Sequence, residues 1–268
     1  MLAFFLIGTK NMSGVKPSDL DQSLSDIRIG QVSHHWAKSQ KIKSYYFSEI
    51  DSTNVKAKNE AFIPESLDEQ MTVYFTDKQT AGRGRGSNKW ITANPGSQLL
   101  STWSFMLQDH VLPTLAPLVG LALYRAAKAT WPFLNFSLKA PNDLYLNDKK
   151  IAGLLLETIS QAEDIRLLIG LGLNVIEAPE DVSTSTCLID ELPKNTPLLA
   201  QDWISFLERL LFEVSVAIQM AAEPLDSTTC ASLIHALNQN PLLKEKYTDI
   251  DGKGNLTLPS KKINWSEL

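Results

Sequence analysis

Between residues 135 and 175 the chain crowds four apolar, strand-like stretches together, 135–139, 143–146, 150–158 and 165–175, with only short turns between them. Asn147 and Asp148 read as a tight hairpin turn and residues 162–164 as a second one, since Asn and Asp tolerate the backbone conformations such turns require. Segments joined in this way predict the core of a sheet. Residues 114–130 place Leu115, Leu118, Val119, Ala122, Leu123, Ala126 and Ala127 at helical spacing, and Trp131-Pro132 end that helix. A second amphipathic helix is expected over 202–220, where Trp203, Phe206, Leu207, Leu210, Leu211 and Val214 share one face. Further strands are expected at 44–48, 71–76 and 99–107. A helix running to about Phe62 would take its N-cap chemistry from Asp51, Ser52 and Thr53, and a short helix is expected around 33–41. These strands and helices predict an α/β (α+β) fold class, a β-sheet flanked by helices.

The chain has 268 residues, 44% of them hydrophobic and 21% charged, enough for a real core. Its net charge of −5 argues against a protein drawn as a whole to nucleic acid or an anionic membrane, so a bound phosphate must meet a local basic patch. Cys187 and Cys230 are too few and too far apart for a disulfide framework or a CxxC site, which favours a reducing, cytoplasmic setting. The apolar opening, residues 1–8, lacks a preceding basic region and is too short for a membrane span. It reads as a frayed arm, a packed strand or an over-extended start. The division expected is a leader over 1–44 without an independent domain, a main domain over 45–222, and a reduced C-terminal β segment over 223–268. In that last part DGKGNLTL, residues 251–258, reads as a turn followed by a strand.

Three motifs carry candidate chemistry. Residues 82–86, Gly-Arg-Gly-Arg-Gly, lie between Gln79 and Trp90; glycines permit close backbone approach, and arginines bind carboxylate or phosphate bidentately. On its own this could equally be a solvated basic turn. In the second motif, Lys139-Ala140-Pro141-Asn142-Asp143-Leu144 precedes Lys149-Lys150-Ile151-Ala152-Gly153 and Glu157, and a lysine at a strand end could offset charge developing on a phosphoryl group. Pro-Asn-Asp is also an ordinary turn. The third, Gly170-Leu171-Gly172-Leu173-Asn174-Val175, is a glycine-interrupted strand that could present Asn174 to a ligand or could simply be a bulged core strand. No Ser/His/Asp or Cys/His arrangement stands out, and His34, His35, His110 and His235 are scattered.

In order and spacing, Asp51-Ser52-Thr53-Asn54, then Gln79 with GRGRG and Trp90, then KAPNDLYLNDKKIAGLLLE, then IGLGLNV resemble the catalytic domain of the biotin protein ligases over about residues 45–175. The resemblance implies that the β-sheet flanked by helices is mixed. It also implies a two-step activity, in which biotin and MgATP give biotinyl-5′-AMP and pyrophosphate, and a lysine of a biotin carboxyl carrier protein then takes the biotin. It places Ser52, Thr53, Asn54, Gln79, Gly82, Arg83, Arg85, Lys139 and Gly153 at biotin, with Thr53 and Gln79 near the ureido ring. Trp90, Asn142, Lys150 and Asn174 would lie at ATP or the adenylate, with Asp143 near the metal of MgATP. Lys139, Arg83 and Arg85 would be the catalytic charges, Lys139 resembling the lysine that contacts the biotin carboxylate and the α-phosphate.

Ala140 stands where the family usually has Trp, leaving either a looser pocket or a contact supplied from elsewhere. Nothing upstream of Tyr45 resembles the family's DNA-binding winged helix-turn-helix, so a ligase without a repressor role is expected, working with no nucleic acid and no membrane as a monomer or homodimer. The family's small C-terminal domain is matched only at 249–258 and 263–265. A lipoate or octanoate ligase or transferase of the same fold, or a non-catalytic biotin binder, are the competing readings.

Overall fold

The computed structural model describes residues 27–268. The apolar opening and most of the expected leader lie outside these residues. The elements in chain order are α1 (Ile29–Ser39), β1 (Lys43–Phe47), α2 (Thr53–Asn59), α3 (Pro64–Leu67), β2 (Met71–Thr76), β3 (Gln98–Leu107), α4 (Leu115–Thr130), β4 (Phe136–Lys139), β5 (Asp143–Leu146), β6 (Lys149–Gln161), β7 (Asp164–Asn174), α5 (Leu188–Glu191), α6 (Ala200–Met220), α7 (Ser227–Asn238), β8 (Asp249–Ile250), β9 (Asn255–Thr257) and β10 (Lys262–Asn264).

Seven strands form one mixed sheet in the order β1-β2-β3-β7-β6-β5-β4. Only β1 and β2 run parallel; every other neighbouring pair is antiparallel. The expected turns are present: Leu146 pairs with Lys149 around Asn147-Asp148, with Asn147 at φ +53°, and Gln161 pairs with Asp164 around Ala162-Glu163.

Strand alternation gives the sheet two unlike faces. On β7, Ile165, Leu167, Ile169, Leu171 and Leu173 point into the core with Val73, Phe75, Leu99 and Trp103. That face is covered by α1, α4 and α6, whose Trp36, Leu118, Leu123, Trp203 and Phe206 are buried. The opposite face carries α2 over a small cluster of Ala57, Tyr74 and Leu168, and beside it lie Gly170 and Gly172. One wall of helices therefore stabilises the sheet, while the other face is left free to build a site.

The expected boundary at residue 45 falls inside β1. Helix α1 begins at Ile29, four residues earlier than its sequence pattern suggested, and its Ser33 Oγ accepts a 3.0 Å hydrogen bond from Trp203 Nε1 on α6. Residues 29–44 are thus packed structure rather than leader. The C-terminal segment shares the same core through Leu225, Leu233, Leu237, Ile250, Leu256 and Trp265. Asp226 caps α7 by accepting from Thr229 N at 2.7 Å, and β8, β9 and β10 form a separate three-stranded antiparallel sheet.

Candidate functional site

Two glycines prepare the floor of the site. Gly153 on β6 pairs with Gly172 on β7, and a Cβ added to Gly172 would stand 2.4 Å from Trp90 Cε2. At Gly153 a Cβ would meet both Trp90 and the Lys150 ammonium at 3.2 Å. Gly170, one step along β7, leaves room for the Asn54 amide, whose Oδ1 would otherwise lie 2.2 Å from a Cβ. These glycines are therefore neither bulges nor turns; their bareness lets side chains from other segments rest on the sheet.

Above this floor is a cleft of about 480 Å³, within the roughly 300–1,000 Å³ usual for small-molecule sites. Its wall includes Ser52, Thr53, Asn54, Gln79, Arg83 and Arg85. Trp90, Lys139, Asn142, Asp143, Lys150 and Gly153 complete the set of expected site residues gathered there. Segments separated by up to a hundred positions in the chain thus converge on one cavity.

Two expected residues are not on its wall. Gly82 sits behind Trp90, where its carbonyl accepts from Trp90 N at 3.1 Å and a Cβ would come within 2.5 Å of Trp90 O. Asn174 is buried beneath, accepting from Gln98 Nε2 at 2.7 Å and donating to Thr186 O at 2.9 Å. Both functions of its amide are occupied by the protein.

The end of the cleft at the start of α2 is a polar network. Gln79 Oε1 accepts from Thr53 N at 2.9 Å and from Thr53 Oγ1 at 3.2 Å. Thr102 Oγ1 donates to Asn54 Oδ1 at 2.5 Å and lies 2.9 Å from Thr53 Oγ1. Asn54 Nδ2 in turn donates to Glu157 at 3.2 Å, and Arg83 Nη1 reaches both Glu157 oxygens at 3.1 and 3.2 Å. Ser52 departs from expectation: it occupies the N-cap position of α2 without making a side-chain cap bond. Its buried hydroxyl has no hydrogen-bond partner among the described residues, although it lines the cleft. An unpartnered buried hydroxyl costs stability unless it serves a ligand.

Positive charge gathers at the other end. The Gly-Arg-Gly-Arg-Gly segment is an ordered hairpin, with Gly84 N donating to Asn88 O at 2.8 Å and Asn88 N to Arg85 O at 3.2 Å; Gly86 takes φ +63° at its tip. Lys139 Nζ donates to Tyr145 OH at 3.2 Å and lies 5.2 Å from that ring's centre. Lys150 Nζ pairs with Asp143 Oδ1 at 2.6 Å and lies 5.8 Å from the centre of the Trp90 ring.

Lys150 owes its position to a register shift. Tyr145 pairs with Lys150 while Leu144 pairs with Ala152, so Ile151 is an extra residue, and Ile151 and Ala152 are both buried in the core. Strict alternation from Gly153 would have sent Lys150 to the helical face; the bulge turns it into the cleft. Sequence reasoning also passed over Asn88, Lys89, Ser101 and Leu155, which line the cleft, and Thr102 behind it. Of these, Asn88 and Lys89 lie between the Gly-Arg-Gly-Arg-Gly motif and Trp90, beside residues already singled out.

Burial pushes the Cys187 thiol up to about 12, so it is a protonated packing group rather than a nucleophile. Among the described residues no three His, Cys, Asp or Glu side chains are placed to hold a metal ion. No helix among them is long and apolar enough to cross a membrane.

Residues 46–174 match the model of the biotin/lipoate A/B protein ligase family. Biotin--protein ligase 2 of Arabidopsis thaliana is 25% identical over 185 residues, which are 66% of this chain and 55% of that protein. The chloroplastic biotin--protein ligase 1 of the same plant is 32% identical over 44% of this chain and 32% of its own length. The biotin--[acetyl-CoA-carboxylase] ligase of Paracoccus denitrificans is 34% identical over 38% of this chain and 44% of its own. The chain thus spans about a third to just over half the length of these curated relatives. Among solved structures, the biotin protein ligase of Aquifex aeolicus in complex with biotin and ATP superposes with a TM-score of 0.61 at 24% identity, over 82% of this chain and 95% of that one. The Leishmania major biotin protein ligase with biotinyl-5-AMP gives 0.56 at 20% identity, over 81% and 94%. At such identities the two structures establish a shared fold, which extends over nearly the whole of each neighbour. Residues 46–174, from within β1 to the last residue of β7, thus form a biotin/lipoate A/B protein ligase family domain.

Proposed function

We propose that the protein is a biotin protein ligase. In the first step a biotin carboxylate oxygen attacks the α-phosphorus of MgATP, giving biotinyl-5′-AMP and releasing pyrophosphate. In the second, the ε-amine of a lysine in a biotin carboxyl carrier protein attacks the acyl carbon, and AMP departs with the electron pair of the broken C–O bond. The observation that carries this reading is the bare Gly153–Gly172 floor, on which Trp90 and the Lys150 ammonium rest beside a polar end built by Ser52, Thr53, Asn54 and Gln79. Such a cleft suits a ligand with a polar head at one end and an anion joined to an aromatic base at the other. The names of the relatives and structural neighbours support the same choice of acid.

Chemically, two anions must be held together against their repulsion, and preorganised cations lower that barrier. Lys150, Lys139 and Arg85 supply the charge; Trp90 bounds the nucleotide side, and Asn142 and Asp143 complete it. Of the two lysines, Lys150 is the better placed to meet the carboxylate and α-phosphate, because it stands on the floor while Lys139 is turned to Tyr145. Mg²⁺ enters with its nucleotide as substrate. No protein nucleophile is required, since the carrier's lysine attacks. We place the protein in the cytoplasm as a monomer or homodimer, its ligase domain ending near residue 222 and the small C-terminal sheet following.

The test is biotin-dependent exchange of labelled pyrophosphate into ATP, with lipoate and octanoate as parallel acids. Exchange with biotin alone is expected. Exchange driven by lipoate or octanoate would reassign the acid, and biotin binding without exchange would reduce the protein to a binder.

A further inference from the structure

The turn between β4 and β5 carries Lys139, Asn142 and Asp143 to the cleft, and three sets of contacts hold it. Lys139 pairs with Asp143 across the hairpin. Asn142 is clamped to Leu154 on β6 in both directions, its Nδ2 donating to Leu154 O at 2.7 Å and its carbonyl accepting from Leu154 N at 2.9 Å. The third contact comes from outside the seven-stranded sheet. Trp265, which follows β10, donates its indole N–H to Pro141 O at 2.8 Å and is itself only 4% exposed. Its own backbone is fixed by a 3.0 Å bond from Trp265 N to Gly254 O, at a turn where Gly254 adopts φ +80°.

Pro141 has no N–H, so its carbonyl is the one backbone polar group by which this residue can be held. Ala140 beside it has a methyl side chain, which offers no polar anchor. The indole therefore supplies what neither side chain can: a directional contact at the apex of the turn, from a ring locked in the core. We propose that Trp265 is a positioning residue for the nucleotide half of the site. By holding the Pro141 carbonyl it sets the depth at which Asn142 and Asp143 stand, and through the Asp143–Lys150 pair it sets the place of the Lys150 ammonium. The polar end at Ser52, Thr53 and Gln79 is built from other segments of the chain. This rests on the reading of the cleft as the site of biotin adenylation.

Trp265→Phe keeps a six-membered aromatic ring in the core and removes the N–H donor with the rest of the five-membered ring. Losing one neutral hydrogen bond of this kind corresponds to about a two- to tenfold change. The KM for ATP in pyrophosphate exchange is expected to rise by that factor, with biotin affinity measured by calorimetry unchanged. Equal weakening of ATP and biotin, or no change in either, would overturn the proposal. A second measurement does not depend on activity: the Leu154 amide, which donates to Asn142 O, should exchange with deuterium faster in Trp265→Phe than in the parent. If the parent itself shows no biotin-dependent exchange, the ligase reading fails, and the deuterium comparison still decides on Trp265, with unchanged protection overturning its role.

Discussion

Lys139 and Lys150 bring two ammonium groups to one wall, and their partners separate them. Lys139 is engaged by a phenol off the floor, whereas Lys150 stands over Gly153 and Trp90. We predict that Lys150→Ala slows pyrophosphate exchange by about 10²–10³-fold, the usual effect of removing one electrostatic stabiliser, and that Lys139→Ala has a smaller effect. Single-turnover adenylate formation would measure both, and a larger loss for Lys139 would reverse their order. The floor makes its own prediction. Gly172→Ala inserts a methyl where Trp90 lies, a misfit that in packed sites costs about 1–3 kcal/mol. Nucleotide binding should weaken by calorimetry while biotin binding, on the Ser52 side, changes little; equal losses would show that the floor does not divide the cleft in this way. Residue types along the motifs were readable in sequence because a glycine or an arginine has few alternative uses. The aim of a side chain was not. Ser52 read as a helix cap yet leaves its hydroxyl unpartnered in the cleft wall, and Lys150 reaches the cleft through a bulge that no periodicity announces.

Among the elements, α4 and α6 and the strands β2 to β7 were legible because each has an apolar face of the right period and is bounded by turn residues. Helix α1 was displaced by four residues since its first turn lacks a signal: Arg28 makes no side-chain cap, and Ile29 and Gly30 are buried against the sheet. The parallel pairing of β1 with β2 was also hidden, as strand direction is set by the α2–α3 crossover rather than by composition. This helix carries the clearest pH dependence. His34 on α1 is packed near Lys38 and His35 of its own helix, with Ser44 Oγ 3.0 Å from its Nδ1 and the Tyr46 and Phe75 rings beside it. Burial, reinforced by Lys38 and His35, holds its pKa below the ordinary value of about 6.5. The unfolded chain therefore binds the proton first as the medium acidifies. The stability this neutral imidazole contributes is complete above about pH 6.5 and is lost as pH falls through the folded-state value. Thermal melts from pH 7.5 to 5 should show a shallower decline for His34→Gln than for the parent; parallel slopes would remove His34 from the account.

Across the whole molecule, charge is distributed against its average. The chain carries a net −5, yet the cleft wall holds Arg83, Arg85, Lys89, Lys139 and Lys150 with Asp143 as its acidic member. A cleft in which one sign of charge predominates focuses potential and raises the local concentration of an oppositely charged substrate, while the acidic remainder repels anions from other surfaces. The polyanion MgATP should respond to this field far more than biotin, whose charge is a single carboxylate. Screening shortens the reach of the field from about 10 Å at 0.1 M salt to about 3 Å at 1 M. We therefore predict that raising sodium chloride from about 50 to about 500 mM increases the KM for ATP by about three- to tenfold, with the KM for biotin changing less than twofold. Pyrophosphate exchange at saturating co-substrate measures each constant separately. A parallel rise in both constants would point to a general effect of salt on the fold, and a flat response in ATP would mean that the Arg83–Glu157 and Lys150–Asp143 pairs already neutralise the cleft before the nucleotide arrives.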